Sequence, residues 1–131
     1  MILKKEIVLK GKVSSGNKRG KQFVNLPWVK KQINEKIGFN PYIGTLNLRL
    51  INETDIHELR KAKGIKIKPE EGYCEGKIFK ALLIRKVEVA VILPDVPEYP
   101  ADVLEILAPV NLRKTLELKD GVEIEVTITI E

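Results

Sequence analysis

Thr45 and Asn47 stand two residues apart in the run Gly44-Thr45-Leu46-Asn47-Leu48-Arg49-Leu50. Residues two apart on a β-strand share a face. The three leucines then face a core, while a hydroxyl and an amide carbonyl project together from the opposite side. Gly44 permits a close backbone approach beside them. Two hard oxygens next to a glycine suit Mg²⁺, which takes few protein oxygens and completes its shell with phosphate and water. The same pattern also describes an ordinary half-buried strand with a polar outer face, and the strand alone does not choose between the two.

A second candidate lies upstream. Ser14-Ser15-Gly16-Asn17-Lys18-Arg19-Gly20-Lys21 combines two glycines with three basic side chains. It is not a P-loop, because Gln22 stands where that motif has Ser or Thr. Backbone N–H groups in small, flexible residues bind phosphate outside that motif as well; a solvated basic hairpin loop is the plainer alternative. Pro27 and Trp28 open a helix just afterwards, and a helix N-terminus offers free N–H groups to anions. Trp28 either stacks on a planar ligand or packs in the core. Glu105 sits among Val103, Leu104, Ile106 and Leu107. A carboxylate there accepts hydrogen bonds from a ligand, or else it points to solvent from a short strand. Arg113 and Lys114 follow at a distance that admits them to the same cleft, with surface charge as the alternative. His57 falls in a short helical turn and is not expected to act as a base. Cys74 is expected to be inert.

Composition sets the frame for these candidates. A chain of 131 residues suits one domain, 1–131, and 44% hydrophobic residues permit a real core. The net charge of +5 fits a polyanion and fits small phosphate-bearing molecules equally. One cysteine excludes an internal disulfide, and one histidine excludes a histidine cluster. No apolar run approaches the roughly 20 residues of a spanning helix, and the start does not read as a signal peptide, so a cytoplasmic protein is expected. Aromatic residues make up only 5%, too few for the stacking platform of a single-strand nucleic-acid binder.

The elements that must position the candidates follow from pattern. Glu6–Ser14 reads as a first strand and Gln22–Leu26 as a short return strand. Pro27 starts the main helix and Gly38 stops it. Residues 45–50 form the strand described above, and Ile56–Arg60 a helical turn. Ile65 and Ile67 suggest a short strand. Phe79–Pro94 is apolar and β-branched and makes two strands, or one with a bend. Pro97 and Pro100 mark a loop. A short apolar segment carries Glu105, and Leu112–Leu118 gives another helical turn. Asp120-Gly121 is a tight turn before Val122–Ile130, whose alternation is the clearest strand signal in the chain. Six or seven strands with one main helix most simply close into a small β-barrel, which removes exposed edges.

These residues, taken in order, resemble the archaeal CTP-dependent riboflavin kinases. The resemblance rests on Gly16 to Phe23, on Leu26-Pro27, and on Gly38-Phe39-Asn40-Pro41-Tyr42-Ile43-Gly44-Thr45-Leu46-Asn47-Leu48. Glu105-Ile106-Leu107-Ala108-Pro109, Leu112-Arg113 and Leu118-Lys119-Asp120-Gly121 complete it. It implies a closed six-stranded barrel related to the cradle-loop and swapped-hairpin barrels. The implied activity moves the terminal phosphate of CTP to the 5′-hydroxyl of riboflavin, giving FMN and CDP.

By that resemblance Thr45 and Asn47 match the ligands of one Mg²⁺ ion. Gly16, Asn17, Lys18, Arg19, Gly20, Lys21 and Gln22 match a loop wrapping the nucleotide, and Val110, Asn111, Leu112 and Arg113 a second nucleotide-contacting segment. Glu105 matches a residue on the flavin side and is the candidate for assisting proton removal. Two positions depart from the pattern. Lys18 replaces a glycine, and Pro97 stands where a flavin-contacting threonine is expected. Riboflavin and CTP are the expected partners, without membrane or nucleic acid, and the chain is expected to work as a monomer. The alternative from another class is a non-catalytic barrel that binds nucleic acid, as related barrels in transcription factors do. A flavin-binding protein without turnover is a third.

Overall fold

The computed structural model describes residues 5–15, 24–42, 45–51, 54–70, 72, 75–95 and 102–130. Seven strands form one antiparallel sheet: β1 (Lys5–Ser14), β2 (Leu46–Leu50), β3 (Ile65–Ile67), β4 (Gly76–Leu83), β5 (Val87–Pro94), β6 (Val103–Leu107) and β7 (Glu123–Ile130). Their order is β3-β4-β5-β6-β2-β1-β7, and β7 returns to pair with β4. That last pairing, Ala81↔Ile128 to Leu83↔Val126, closes six strands into a barrel. β3 stands outside the ring, on the early part of the same β4 edge, where Ile67 faces Gly76 and Ile65 faces Ile78.

The period-2 alternation decides which side chains fill the barrel. Leu9 and Val13 of β1, Leu46, Leu48 and Leu50 of β2, Leu104 and Ile106 of β6, and Val126 and Ile128 of β7 share one buried cluster. A second cluster lies on the outside of β3, β4, β5 and β6, where Ile67, Ile78, Ala90, Ile92 and Leu107 meet Val29 and Ile33 of α1 (Pro27–Ile37). β5 is therefore buried on both faces. This is why its sequence runs Val89-Ala90-Val91-Ile92-Leu93 without a polar interruption.

Helix α1 begins with Pro27 in its first turn and ends at Gly38, whose φ of 97° and N–H bond to the Asn34 carbonyl make a left-handed cap. Trp28 packs against the outer cluster, which favours the core alternative over ligand stacking. Residues 24–26 do not continue a return strand. Val24 is fully buried against α1, and the Leu26 carbonyl accepts from Val29 and Lys30, so this segment already turns into the helix. α2 (Thr54–Lys61) is longer than the single turn expected, and its Ile56 and Leu59 enter the barrel cluster. α3 (Leu112–Thr115) is one turn, capped by the Asn111 side chain, which accepts from the Lys114 N–H.

Gly11 matters for the strand that carries the site. A Cβ added there would meet the Arg49 carbonyl oxygen at 3.0 Å and the Leu48 Cβ at 3.1 Å. Neither atom is the free end of a flexible side chain. Gly11→Ala is therefore expected to push β1 from β2 and lower the unfolding free energy by about 1–3 kcal/mol. Urea denaturation measures the change; an unaltered midpoint would show that the pair relaxes freely.

Candidate active site

The barrel registers bring the sequence candidates together. Ser14 of β1 faces Asn47 of β2, and Asn47 faces Glu105 of β6. Glu105 in turn faces Ile92 of β5, which faces Ile78 of β4. One row across the barrel wall thus runs Ser14, Asn47, Glu105, Ile92, Ile78, polar at one end and apolar at the other. Glu105 stands at the junction. It is fully buried, and Asn47 is only 7% exposed, so neither lies on a solvated sheet face.

Thr45 completes the cluster from the residue before β2. Its hydroxyl lies 3.1 Å from Glu105 Oε1 and 3.3 Å from Asn47 Oδ1. One hydroxyl carries one proton. It is shared between the Glu105 carboxylate and the Asn47 carbonyl oxygen, so three hard oxygens sit together. Neighbouring ligands of an octahedral Mg²⁺ lie about 2.9 Å apart at ordinary bond lengths. The Thr45–Asn47 separation of 3.3 Å is close to that. The donor set thus fits a hard divalent ion held by few protein oxygens. Among the described residues no group of three or more His, Cys, Asp or Glu side chains gathers to bind a metal, so phosphate and water would supply the remaining ligands.

Thr45 also lines a cavity of about 150 Å³ with Tyr42, Leu46, Ile106, Ala108, Val110, Asn111, Leu112 and Arg113. All four residues of the predicted 110–113 segment therefore share one hollow with a candidate metal residue. Val110 is exposed and Leu112 buried, so the first faces out while the second anchors α3. Tyr42 is a wall of this hollow that no spacing in the sequence singled out. Its N–H donates to the Ala108 carbonyl at 2.7 Å, and its hydroxyl accepts from Asn111 Nδ2 at 3.3 Å. The available signal was an aromatic residue directly after Pro41, on the approach to the site strand.

Arg113 reaches the strand side. Its Nη2 donates to the Ser14 carbonyl at 2.9 Å, to Ser15 Oγ at 2.8 Å and to Asp120 Oδ1 at 2.7 Å. Hydrogen bonds from Arg113, and then from Ser15, hold the Asp120 carboxyl below its ordinary range. A depressed carboxyl contributes stability above the unfolded pKa, and that contribution is lost as pH falls through the lowered folded value. Lys114, expected beside Arg113 in the cleft, instead stays exposed on α3. His57 is exposed on α2. The predicted loop residues Gly16, Asn17, Lys18, Arg19, Gly20, Lys21 and Gln22 lie outside the described residues, as do Gly44, Cys74 and Pro97.

A family model labelled CTP-dep_RFKase, a domain of unknown function (DUF120), matches residues 13–128. The chain belongs to this family. Several of its relatives carry the name riboflavin kinase. That of Archaeoglobus fulgidus is 40% identical over 130 residues, covering 95% of this chain and 55% of that protein. That of Methanocella arvoryzae is 38% identical over 121 residues, 92% of this chain and 56% of its own length. That of Ignicoccus hospitalis is 36% identical over 136 residues, 97% of this chain and 74% of its own. The chain thus spans about half the length of the first two. The family match covers every described residue of the candidate site, from Ser14 to Asp120. Among the described residues no helix is long and apolar enough to cross a membrane.

Proposed function

We propose that this chain is one kinase-like barrel domain that transfers the terminal phosphate of CTP to the 5′-hydroxyl of riboflavin, giving FMN and CDP. Family membership and the names of the relatives support the substrates. The observation that carries the reading is the Thr45–Asn47–Glu105 oxygen cluster at the edge of the cavity lined by residues 110–113. Phosphoryl transfer needs little covalent chemistry from a protein; it needs positioning and charge. A Mg²⁺ ion bound there would neutralise charge on the phosphate oxygens.

In this reading Thr45 and Asn47 hold the ion, each through a side-chain oxygen. Backbone groups of Val110, Asn111, Leu112 and Arg113 read the cytosine edge, because a wrong base leaves a buried polar group unpaired. Residues 16–22 wrap the phosphates with N–H groups and with Lys18, Arg19 or Lys21. Glu105 orients the flavin and accepts the proton of its 5′-hydroxyl at a carboxylate oxygen, as the 5′-oxygen bonds to the terminal phosphorus of CTP and the bond from that phosphorus to the bridging oxygen breaks, releasing CDP. The residue at 97 would meet the flavin through its carbonyl alone, since proline has no N–H to give.

The test is incubation with riboflavin, Mg²⁺ and each of the four nucleoside triphosphates, following FMN. Formation with CTP and little with the others supports the reading; no FMN with any of them overturns it. Yellow protein without CTP consumption would indicate flavin binding alone, and a salt-sensitive shift of DNA without FMN would indicate a nucleic-acid binder. Glu105→Gln is expected to impair riboflavin turnover more than CTP binding. Separate titrations of the two ligands decide this, and an equal loss for both would remove Glu105 from the flavin side.

A further inference from the structure

Asp120 belongs to neither predicted nucleotide segment, yet three parts of the chain meet at it. It lies in the turn before β7. That turn is fastened to β1, since Gly121 N–H donates to the Val13 carbonyl at 2.8 Å and Val13 N–H to the Val122 carbonyl at 2.9 Å. The Asp120 carboxylate accepts from Ser15 Oγ, at 2.9 and 3.0 Å to its two oxygens, and from Arg113 Nη2 at 2.7 Å. Arg113 in turn holds the carbonyl of Ser14, the residue paired with Asn47. The end of β1, helix α3 and the β7 turn are thereby joined through one guanidinium nitrogen and one carboxylate.

As a source of stability this pair counts for little. The Arg113 and Asp120 side chains are 36% and 59% exposed, and solvent screens such pairs. Its geometry is more telling than its strength. Arg113 Nη2 spends its protons on three protein acceptors, on β1, on the residue after it and in the β7 turn. The side chain that lines the cavity is thus anchored through Nη2 to the end of β1 and to the β7 turn.

We propose that Asp120 is a positioning residue: acting through Arg113 and Ser15, it fixes the 110–113 segment against the end of β1 and so sets the geometry of nucleotide binding. Its functional consequence rests on the CTP reading above; the clamp itself does not. Asp120→Asn keeps the size of the side chain and removes its charge. It is expected to raise the KM for CTP roughly tenfold, the scale for losing a group that orients a binding residue, with kcat and the KM for riboflavin within about twofold. Arg113→Ala should add little in the Asp120→Asn background, since the two act as one unit. In the ligand-free protein, amides of residues 111–118 and 120–122 should exchange faster in Asp120→Asn than in the unaltered chain.

Unchanged exchange overturns the clamp. Faster exchange with an unchanged KM for CTP overturns its role in positioning, as does an equal rise in KM for both substrates. If the unaltered protein makes no FMN, the kinase reading falls, and the exchange result alone decides whether the clamp exists.

Discussion

Asn47→Ala is expected to lower phosphate transfer by on the order of 10²–10³-fold, the cost of removing one preorganised group that meets developing charge. The protein should stay folded. Asn47 sits on the outer side of β2, while Leu46, Leu48 and Leu50 fill the barrel from the inner side. Removing its amide takes away a hard oxygen 3.3 Å from the Thr45 hydroxyl without opening the core. Turnover measured against Mg²⁺ concentration, with circular dichroism on the same samples, separates the two effects. A lost rate that more Mg²⁺ partly restores places Asn47 at the ion. Unchanged turnover would remove it from the metal site.

Leu48→Ala should do the reverse. Leu48 is fully buried between Val13 of β1 and Leu104 of β6, its partners in register. Truncating a leucine in such a place costs about 2–5 kcal/mol, from lost burial and the cavity left behind. That is a large part of the 5–15 kcal/mol typical of a whole domain. Chemical denaturation reads the loss directly. Below the new melting temperature the surviving folded fraction should keep its KM values, because Thr45 and Asn47 point to the other side of the strand. A milder loss, under about 1 kcal/mol, would show that the barrel collapses around the gap.

The elements were legible wherever periodicity alone defines them. The alternation of residues 123–130 marks β7, Pro27 and Gly38 bracket α1, and the long apolar run to Pro94 divides into β4 and β5. The division itself was less readable. The turn between those strands holds Ile84 and Arg85 at φ 48° and 58° without a glycine or asparagine, so the usual sign of a hairpin is missing. Gln22–Leu26 read as strand because Phe23, Val24 and Leu26 are apolar in a short run. Yet the burial of Val24 serves α1 rather than a sheet.

The site was legible in its residue types and not in its connections. Thr45, Asn47, Glu105 and Arg113 are visible as candidates, but 60 residues separate Thr45 from Glu105. Strand register between distant segments leaves no trace in local spacing. The same holds for Asp120, whose contact with Ser15 spans 105 residues. Of the two alternatives for Glu105, the solvent-facing one failed for a related reason: a five-residue strand does not reveal that its outer face is covered.

The row from Ser14 to Glu105 has an implication for how such a protein can change over time. Side chains on adjoining strands keep a spacing dictated by the peptide ladder, roughly 4.8 Å from strand to strand. The oxygens of Asn47 and Glu105 are therefore spaced by main-chain bonding that substitution elsewhere leaves intact. The segment proposed to choose the base, residues 110–113, belongs to the connection between β6 and β7. New donors or acceptors can be recruited by redrawing that connection, while Asn47 and Glu105 stay where the barrel wall puts them.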